Sequence, residues 1–209
     1  MGELSIRAYR CISDYERLLG KRRRHTSSQG YDGSGHFVKK FLDILKRHSD
    51  YLVVSGYVSI CSGRARGTED VDILFPVMSR EKFEMLFKDL TNNGFWCYQG
   101  DDHAGVHRYV KDMDSVRFAL KKEMFPNIEL IPIDESRKAQ HFEFSRPQKI
   151  RINDFEFKVP EIEFEIAYKE TVLGSEKDME DAMHLRVFFS SGIDEDKLKK
   201  YKSMLRRGL

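Results

Sequence analysis

The chain changes hydrophobic period several times, and each change marks an element. Phe37, Phe41, Leu42, Ile44 and Leu45 recur at helical spacing, with Lys39, Lys40, Lys46 and Arg47 outside, which predicts an amphipathic helix over 36–48. Tyr51 to Val54 is then a compact apolar run that reads as a buried strand. Ser55-Gly56 breaks it with a tight turn, and Tyr57 to Cys61 has the length of a short helix, stopped by Ser62-Gly63. Over 68–75 the period becomes two: Val71, Ile73 and Phe75 face a core, while Asp70 and Asp72 share the opposite face. Pro76 ends that strand. Ser79 is placed to cap a helix over 80–90, whose apolar side is Phe83, Leu86, Phe87 and Leu90 and whose stop is Asn92-Asn93-Gly94. Strands are predicted over 95–98, 116–121 and 128–133, with a turn at Phe125-Pro126-Asn127. A hairpin follows over 148–159, turning at Asn153-Asp154. The remainder reads as helical, interrupted at Gly192 and ending in a basic helix.

This order implies an α+β fold: a small mixed sheet of four or five strands, helices on one face, and a helical C-terminal part. Three regions are expected. Residues 1–35 hold a weak helical pattern, the basic run Lys21 to Arg24 and a turn-rich loop; 36–160 form the core; 161–209 form the helical region. The chain has 209 residues, enough for one core, and a formal net charge of +2. Bulk charge therefore gives no sign of a nucleic-acid binder, and the basic run reads as a solvated stretch. Cys11, Cys61 and Cys97 are odd in number and widely spaced. They argue against a disulfide framework or a zinc knuckle and for a reducing compartment. No apolar run suits a membrane span and the N-terminus lacks a signal-peptide core, so a cytoplasmic protein is expected.

The candidate chemistry sits on the Asp-bearing strand. Two carboxylates two residues apart, at the rim of a sheet, can share hard divalent cations. A second candidate is Asp101-Asp102-His103 with His107, residue types familiar from metal sites. Gly100 and Gly105 argue against a helix that would present both histidines on one side, so a polar loop is expected there.

Taken together, Ser55-Gly56, the short helix, Arg64, Arg66, Thr68 and Asp70-Val71-Asp72-Ile73 resemble the nucleotidyltransferase superfamily that includes DNA polymerase β-like enzymes. The residues RGTEDVDI look most like its branch of AbiEii-type toxins and small nucleotidyltransferases. Ser55 departs from that branch, which often has a second Gly there. The segment from Val159 to Leu185 resembles the helical region after the core in the same branch, so the resemblance covers about 37–189.

The resemblance implies a nucleotidyltransferase fold with a third carboxylate from a neighbouring strand. Glu129, between Ile128 and Leu130, suits that role; Asp134, of opposite parity, is the alternative. Asp70, Asp72 and Glu129 would hold two Mg²⁺ ions, or Mn²⁺, and act as the catalytic set. Ser55, Gly56, Arg64, Arg66, Thr68 and Lys169 would bind the nucleotide, with Lys177, Asp178 and Asp181 bracing the basic residues. The implied activity moves a nucleoside monophosphate from an NTP, such as ATP, to an acceptor hydroxyl. The acceptor would be a tRNA or other RNA, a protein or a small molecule. The toxin half of a toxin–antitoxin pair, with an antitoxin protein as partner, is part of the same implication. The alternative is a catalytically silent nucleotide- or partner-binding domain of the same fold.

Overall fold

The computed structural model describes residues 29–65, 67–152 and 155–209. The expected N-terminal helix, the basic run, Arg66 and the turn at Asn153-Asp154 lie outside the described residues.

Helix α1 spans Gln29–Leu45, starting seven residues before the expected boundary and running through the glycines read as a loop. Glycine costs a helix about 1 kcal/mol per position but does not forbid it. Phe37, Val38, Phe41, Leu42 and Leu45 of α1 are buried and hold the helix against the sheet. Strand β1, Leu52–Val53, is followed by α2, Gly56–Cys61, and β2, Asp70–Pro76. Helix α3, Arg80–Asn92, starts at Ser79, whose hydroxyl accepts the Lys82 N–H. Strand β3 is Phe95–Cys97, α4 is His103–Lys111, β4 is Val116–Leu120 and β5 is Asn127–Ile133.

Five strands form one mixed sheet in the order β1-β2-β5-β4-β3. Only β2 and β5 run parallel; the other neighbours are antiparallel. The period of two separates the two faces. Val71, Ile73, Phe75, Val116, Phe118, Ile128 and Leu130 are buried in the main core beneath α1, α3 and α4. Phe41 packs edge-on to Phe95 at 5.2 Å, and Phe87 edge-on to Phe118 at 5.9 Å, which ties both longer helices to the sheet. The opposite face bears Asp70, Asp72, Glu129 and Arg117, with a small apolar cluster of Leu52, Val54, Leu74 and Ile133 beside them.

Helix α5, Lys138–Phe144, has no counterpart in the sequence expectation. Its Phe142 meets Phe164 at 5.3 Å, and Phe144 covers the small cluster. The expected hairpin is present as β6, Gln148–Ile152, and β7, Phe155–Val159, a separate two-stranded sheet. The C-terminal part is α6, Ile162–Tyr168, continued by a π-helical turn at Lys169–Leu173, then α7, Glu176–Phe188, and α8, Glu195–Arg206. The expected unbroken helix is therefore interrupted at Gly174, whose φ of 66° closes the π turn before Ser175 caps α7. Phe164, Ile166, Ala182, Leu185, Leu198 and Tyr201 join the same buried cluster as the sheet, so the C-terminal helices share the core.

A correction concerns Asp101 to His107. The structure has a helix where a loop was expected, because Asp102 accepts the N–H groups of Ala104 and Gly105 and Val106 and Val110 bury beneath it. His103 and His107 thus do share a helix face. That face packs on α3: His107 lies 5.5 Å from the Phe83 ring and its Nε2 is 3.0 Å from the Met78 carbonyl, while His103 lies 6.4 Å from the Phe87 ring. Cys61 and Cys97 are free thiols. Among the described residues, no helix is long and apolar enough to cross a membrane.

A candidate metal and nucleotide site

Parallel pairing of β2 with β5 places Asp70 opposite Asn127 and Asp72 opposite Glu129. Both acidic positions of β2 and that of β5 therefore rise from one face. Asp70, Asp72 and Glu129 each present a carboxylate oxygen within 4.8 Å of the others, the one such acidic or metal-ligating group among the described residues. Asp134 is not part of it. β5 has ended at Ile133, and the exposed Asp134 carboxylate accepts from the Ser136 N–H and hydroxyl, which hold it below the usual carboxylate range.

Each member of the triad is held by a different neighbour. The Thr68 hydroxyl lies 2.8 Å from the Asp70 carbonyl oxygen and 3.2 Å from its carboxylate, so this residue positions Asp70. Glu129 accepts the Ser115 hydroxyl at 2.5 Å, and Arg117 Nε and Nη2 at 3.1 and 2.6 Å, a two-pronged ion pair. Asp72 is the strained member. Burial first, then the charges of Asp70 and Glu129, push its carboxyl up to about 6, against the Ser55 hydroxyl and the Lys169 charge, which pull it down.

That shift has a direction in stability. A carboxyl with a native pKa above its unfolded value of about 3.9 binds its proton more tightly when folded. Its contribution favours folding at acid pH and is lost as pH climbs from about 4 through about 6. In chelator, the unfolding free energy should fall across that window in wild type relative to Asp72→Asn, as urea titrations at stepped pH will show. A divalent cation should remove the difference.

Ser55 occupies the turn between β1 and α2 with φ 63° and ψ −135°, a conformation that glycine adopts readily and other residues rarely. Two contacts accompany the strain. The Ser55 hydroxyl donates to Asp72, and the Ser55 N–H donates to the buried Glu165 carboxylate of α6. Ser55→Gly should relieve about 1 kcal/mol of backbone strain and raise the melting temperature, while removing the hydroxyl from Asp72. A melt showing no gain would mean that the hydroxyl contact outweighs the strain.

Lys169 departs from the expectation that it faces phosphates. It is fully buried, with Nζ 3.2 Å from Asp181, 3.4 Å from Glu165 and 3.8 Å from Asp178. The break at Gly174 folds α7 back so that Asp178 and Asp181 meet it. Lys169 therefore sits behind the site, compensating carboxylates, and its charge acts on Asp72 from there. Arg64 is likewise engaged by α7: Nη2 lies 2.6 Å from Glu180, and Nε 2.6 Å from Asp181, an ion pair out of line for a hydrogen bond. Gly56 is buried at the start of α2, beside this network. Lys177 makes none of the ion pairs found around Lys169 and Arg64.

No family model and no curated protein matches this chain. Among solved structures it is similar to an antigenic nucleotidyltransferase-like protein from Paracoccidioides brasiliensis, with 17% sequence identity and a TM-score of 0.49, over 82% of this chain and 84% of that one. The likeness is too distant to assign a role to any residue.

Sequence reasoning missed three residues of the site. Arg117 and Ser115 lie on and beside β4, and only the β4–β5 register brings them to Glu129. Glu165 lay within an apolar helix face, FEIA, where a buried carboxylate four residues before Lys169 was the available signal.

The residues fit hard divalent cations: all donors are carboxylate oxygens, crowded within 4.8 Å, and burial first, then the charges of Asp70 and Glu129, raises the Asp72 carboxyl.

Proposed function

We propose that this chain is a metal-dependent nucleotidyltransferase that moves a nucleoside monophosphate from an NTP to an acceptor hydroxyl. One observation carries the reading: three carboxylates from two parallel strands converge on one sheet face beside the strained Ser55-Gly56 turn.

Asp70, Asp72 and Glu129 would hold the Mg²⁺ or Mn²⁺ ions. When bound, such ions neutralise triphosphate charge and lower the pKa of an acceptor hydroxyl. The chain's own residues prepare the rest. Thr68 and Ser55 orient Asp70 and Asp72 from the β1 side, and Arg117 with Ser115 orients Glu129 from the β4 side. Backbone N–H groups after Gly56 would cradle the β- and γ-phosphates, with Arg66 supplying positive charge near the leaving pyrophosphate and Arg64 doing so only on exchanging its pairs with Glu180 and Asp181. A carboxylate of the triad would also accept the acceptor's proton.

The finer readings stay with the family resemblance: ATP as donor, tRNA or another RNA or a protein as acceptor, and a toxin role countered by an antitoxin. The test is transfer from α-labelled NTPs, with Mg²⁺ or Mn²⁺, to bulk RNA or to the protein itself. Glu129→Gln should lower turnover by at least a hundredfold and Asp134→Asn should leave it unchanged. Tight NTP binding without any transfer would instead identify a silent binding domain. Equal losses in the two variants would remove Glu129 from its role.

A further inference from the structure

The face that bears the carboxylates does not end at β5. Glu129 is paired with Arg117 on β4, and the Tyr98 N–H donates to the Arg117 carbonyl, so Asp72, Glu129 and Arg117 form a rung across three strands that Tyr98, just past the end of β3, continues. The next rung on this face is Asp70, Asn127, Ala119 and Trp96. The far end is an aromatic pair. Trp96 and Tyr98 are half-buried and stacked, with ring centroids 4.6 Å apart and planes inclined by 24°.

Both rings are tied to the segment between β4 and β5. Trp96 Nε1 donates to the Glu123 carbonyl at 2.9 Å, and the Tyr98 hydroxyl donates to the Met124 carbonyl. Both polar tips are thus satisfied by the chain, each ring covers one face of the other, and what the pair can offer a ligand is an outer ring face. Arg117 lies between the pair and the carboxylates, its side chain 43% exposed and close enough for its charge to act on Tyr98. Lys121 and Lys122, both exposed, follow at the end of β4.

We propose that Trp96 and Tyr98 form a stacking platform for an unpaired nucleobase of a single-stranded polynucleotide acceptor. This deepens the nucleotidyltransferase reading and rests on it for the word acceptor. Flat aromatic surface bordered by cations is the combination that binds single strands without reading their sequence. The direction of approach follows from the fold. The Ser55-Gly56 turn and α2 flank the triad on the β1 side, where the triphosphate is placed, and the strip over β4 and β3 leads away on the other side. Three strand spacings separate β2 from β3, about 14 Å. A base on the platform would leave its chain a short unstacked stretch in which to reach the triad with a terminal hydroxyl.

Trp96 is the chain's single tryptophan, so its fluorescence reports on the platform alone. The experiment titrates the full chain, without NTP or metal, with a short single-stranded oligoribonucleotide of mixed sequence. Blunt duplex RNA and an unstructured peptide bearing Ser and Tyr hydroxyls are the comparison ligands. The single strand should quench Trp96 saturably and the other two should not. Tyr98→Leu should weaken binding roughly five- to hundredfold, the effect of losing one base-stacking contact, whereas Tyr98→Phe should retain it. If Tyr98→Leu does not fold, photocrosslinking of a 4-thiouridine strand to the wild type decides, with adducts expected within 95–98. Equal quenching by duplex and single strand, quenching by the peptide in place of RNA, an unchanged Tyr98→Leu titration or adducts elsewhere would each overturn the platform. The binding is read with no chemistry taking place. A chain that transfers nucleotides but fails this titration loses the platform only, and one that passes it without transferring loses the enzymatic reading only.

Discussion

Asp72→Asn should abolish nucleotidyl transfer and at the same time make the metal-free protein more stable. The two effects have one cause. Asp72 is held in low-dielectric surroundings beside Asp70 and Glu129, and its carboxyl is pushed up to about 6, well above the ordinary value. At pH 7.5 the ionised form is therefore costly, by as much as about 3 kcal/mol if the whole shift is expressed in stability. An amide of nearly the same shape removes that cost and keeps a partner for Ser55. The measurement is paired: urea unfolding in chelator should show a gain of about 1–3 kcal/mol, while labelled transfer falls to background. Cation should stabilise the wild type and leave the variant unmoved. A variant that loses both stability and activity would show that Asp72 supports the fold, and one that keeps turnover would dismiss the triad as a catalytic site.

Lys169→Met should act mainly on folding. In wild type the ammonium is fully buried against Asp181 and Glu165, with Asp178 nearby, and Glu165 itself is driven upward by burial and held by the Lys169 charge. Removing one partner from a buried ionic group leaves the others uncompensated, a loss of about 3–5 kcal/mol. Methionine fills the stem's volume, so a cavity does not account for the loss. The unfolding midpoint in urea should fall accordingly, and Glu165→Gln on the same background should recover part of it, because one orphaned carboxylate is then neutral. Turnover would decline through the same route, since Glu165 holds the Ser55 N–H and Ser55 holds Asp72. An unchanged midpoint with a raised KM for NTP would show instead that Lys169 leaves its cage to meet the phosphates.

What could be read from the sequence was whatever the period of two or of 3.6 decides locally. Alternation put Asp70 and Asp72 on one face and Val71, Ile73 and Phe75 on the other, and the structure has that arrangement. Parity also separated Glu129 from Asp134 within one strand. Pairings between distant strands were not legible, so Arg117 and Ser115 went unassigned although both touch Glu129. Helix α4 was misread because Gly100 and Gly105 weighed against it, while the Asp102 cap and the buried Val106 and Val110 decided the outcome. Lys169 was misplaced for a related reason. Its neighbours at i−4 are visible in sequence, but Asp178 and Asp181 reach it only after the chain turns at Gly174. The α5 segment, with one buried polar residue and aromatics covering other elements, has no periodic apolar face to announce it.

The parallel pairing of β2 with β5 also governs when the site comes into being. Fifty residues lie between Pro76 and Asn127, and they form α3, β3, α4 and β4 before β5 can insert between β2 and β4. Contacts this distant in sequence are slow to form, because the connecting chain must be closed before they are rewarded. During synthesis the Asp pair emerges early, on a strand whose inner edge is bare, and Glu129 arrives on the strand that covers that edge. Glu165 and Lys169, which set the Ser55 turn, are made later still. The triad and the contacts that support it are thus complete only at the end of folding, and a chain interrupted before α6 holds the acids without Glu165 and Lys169 behind them.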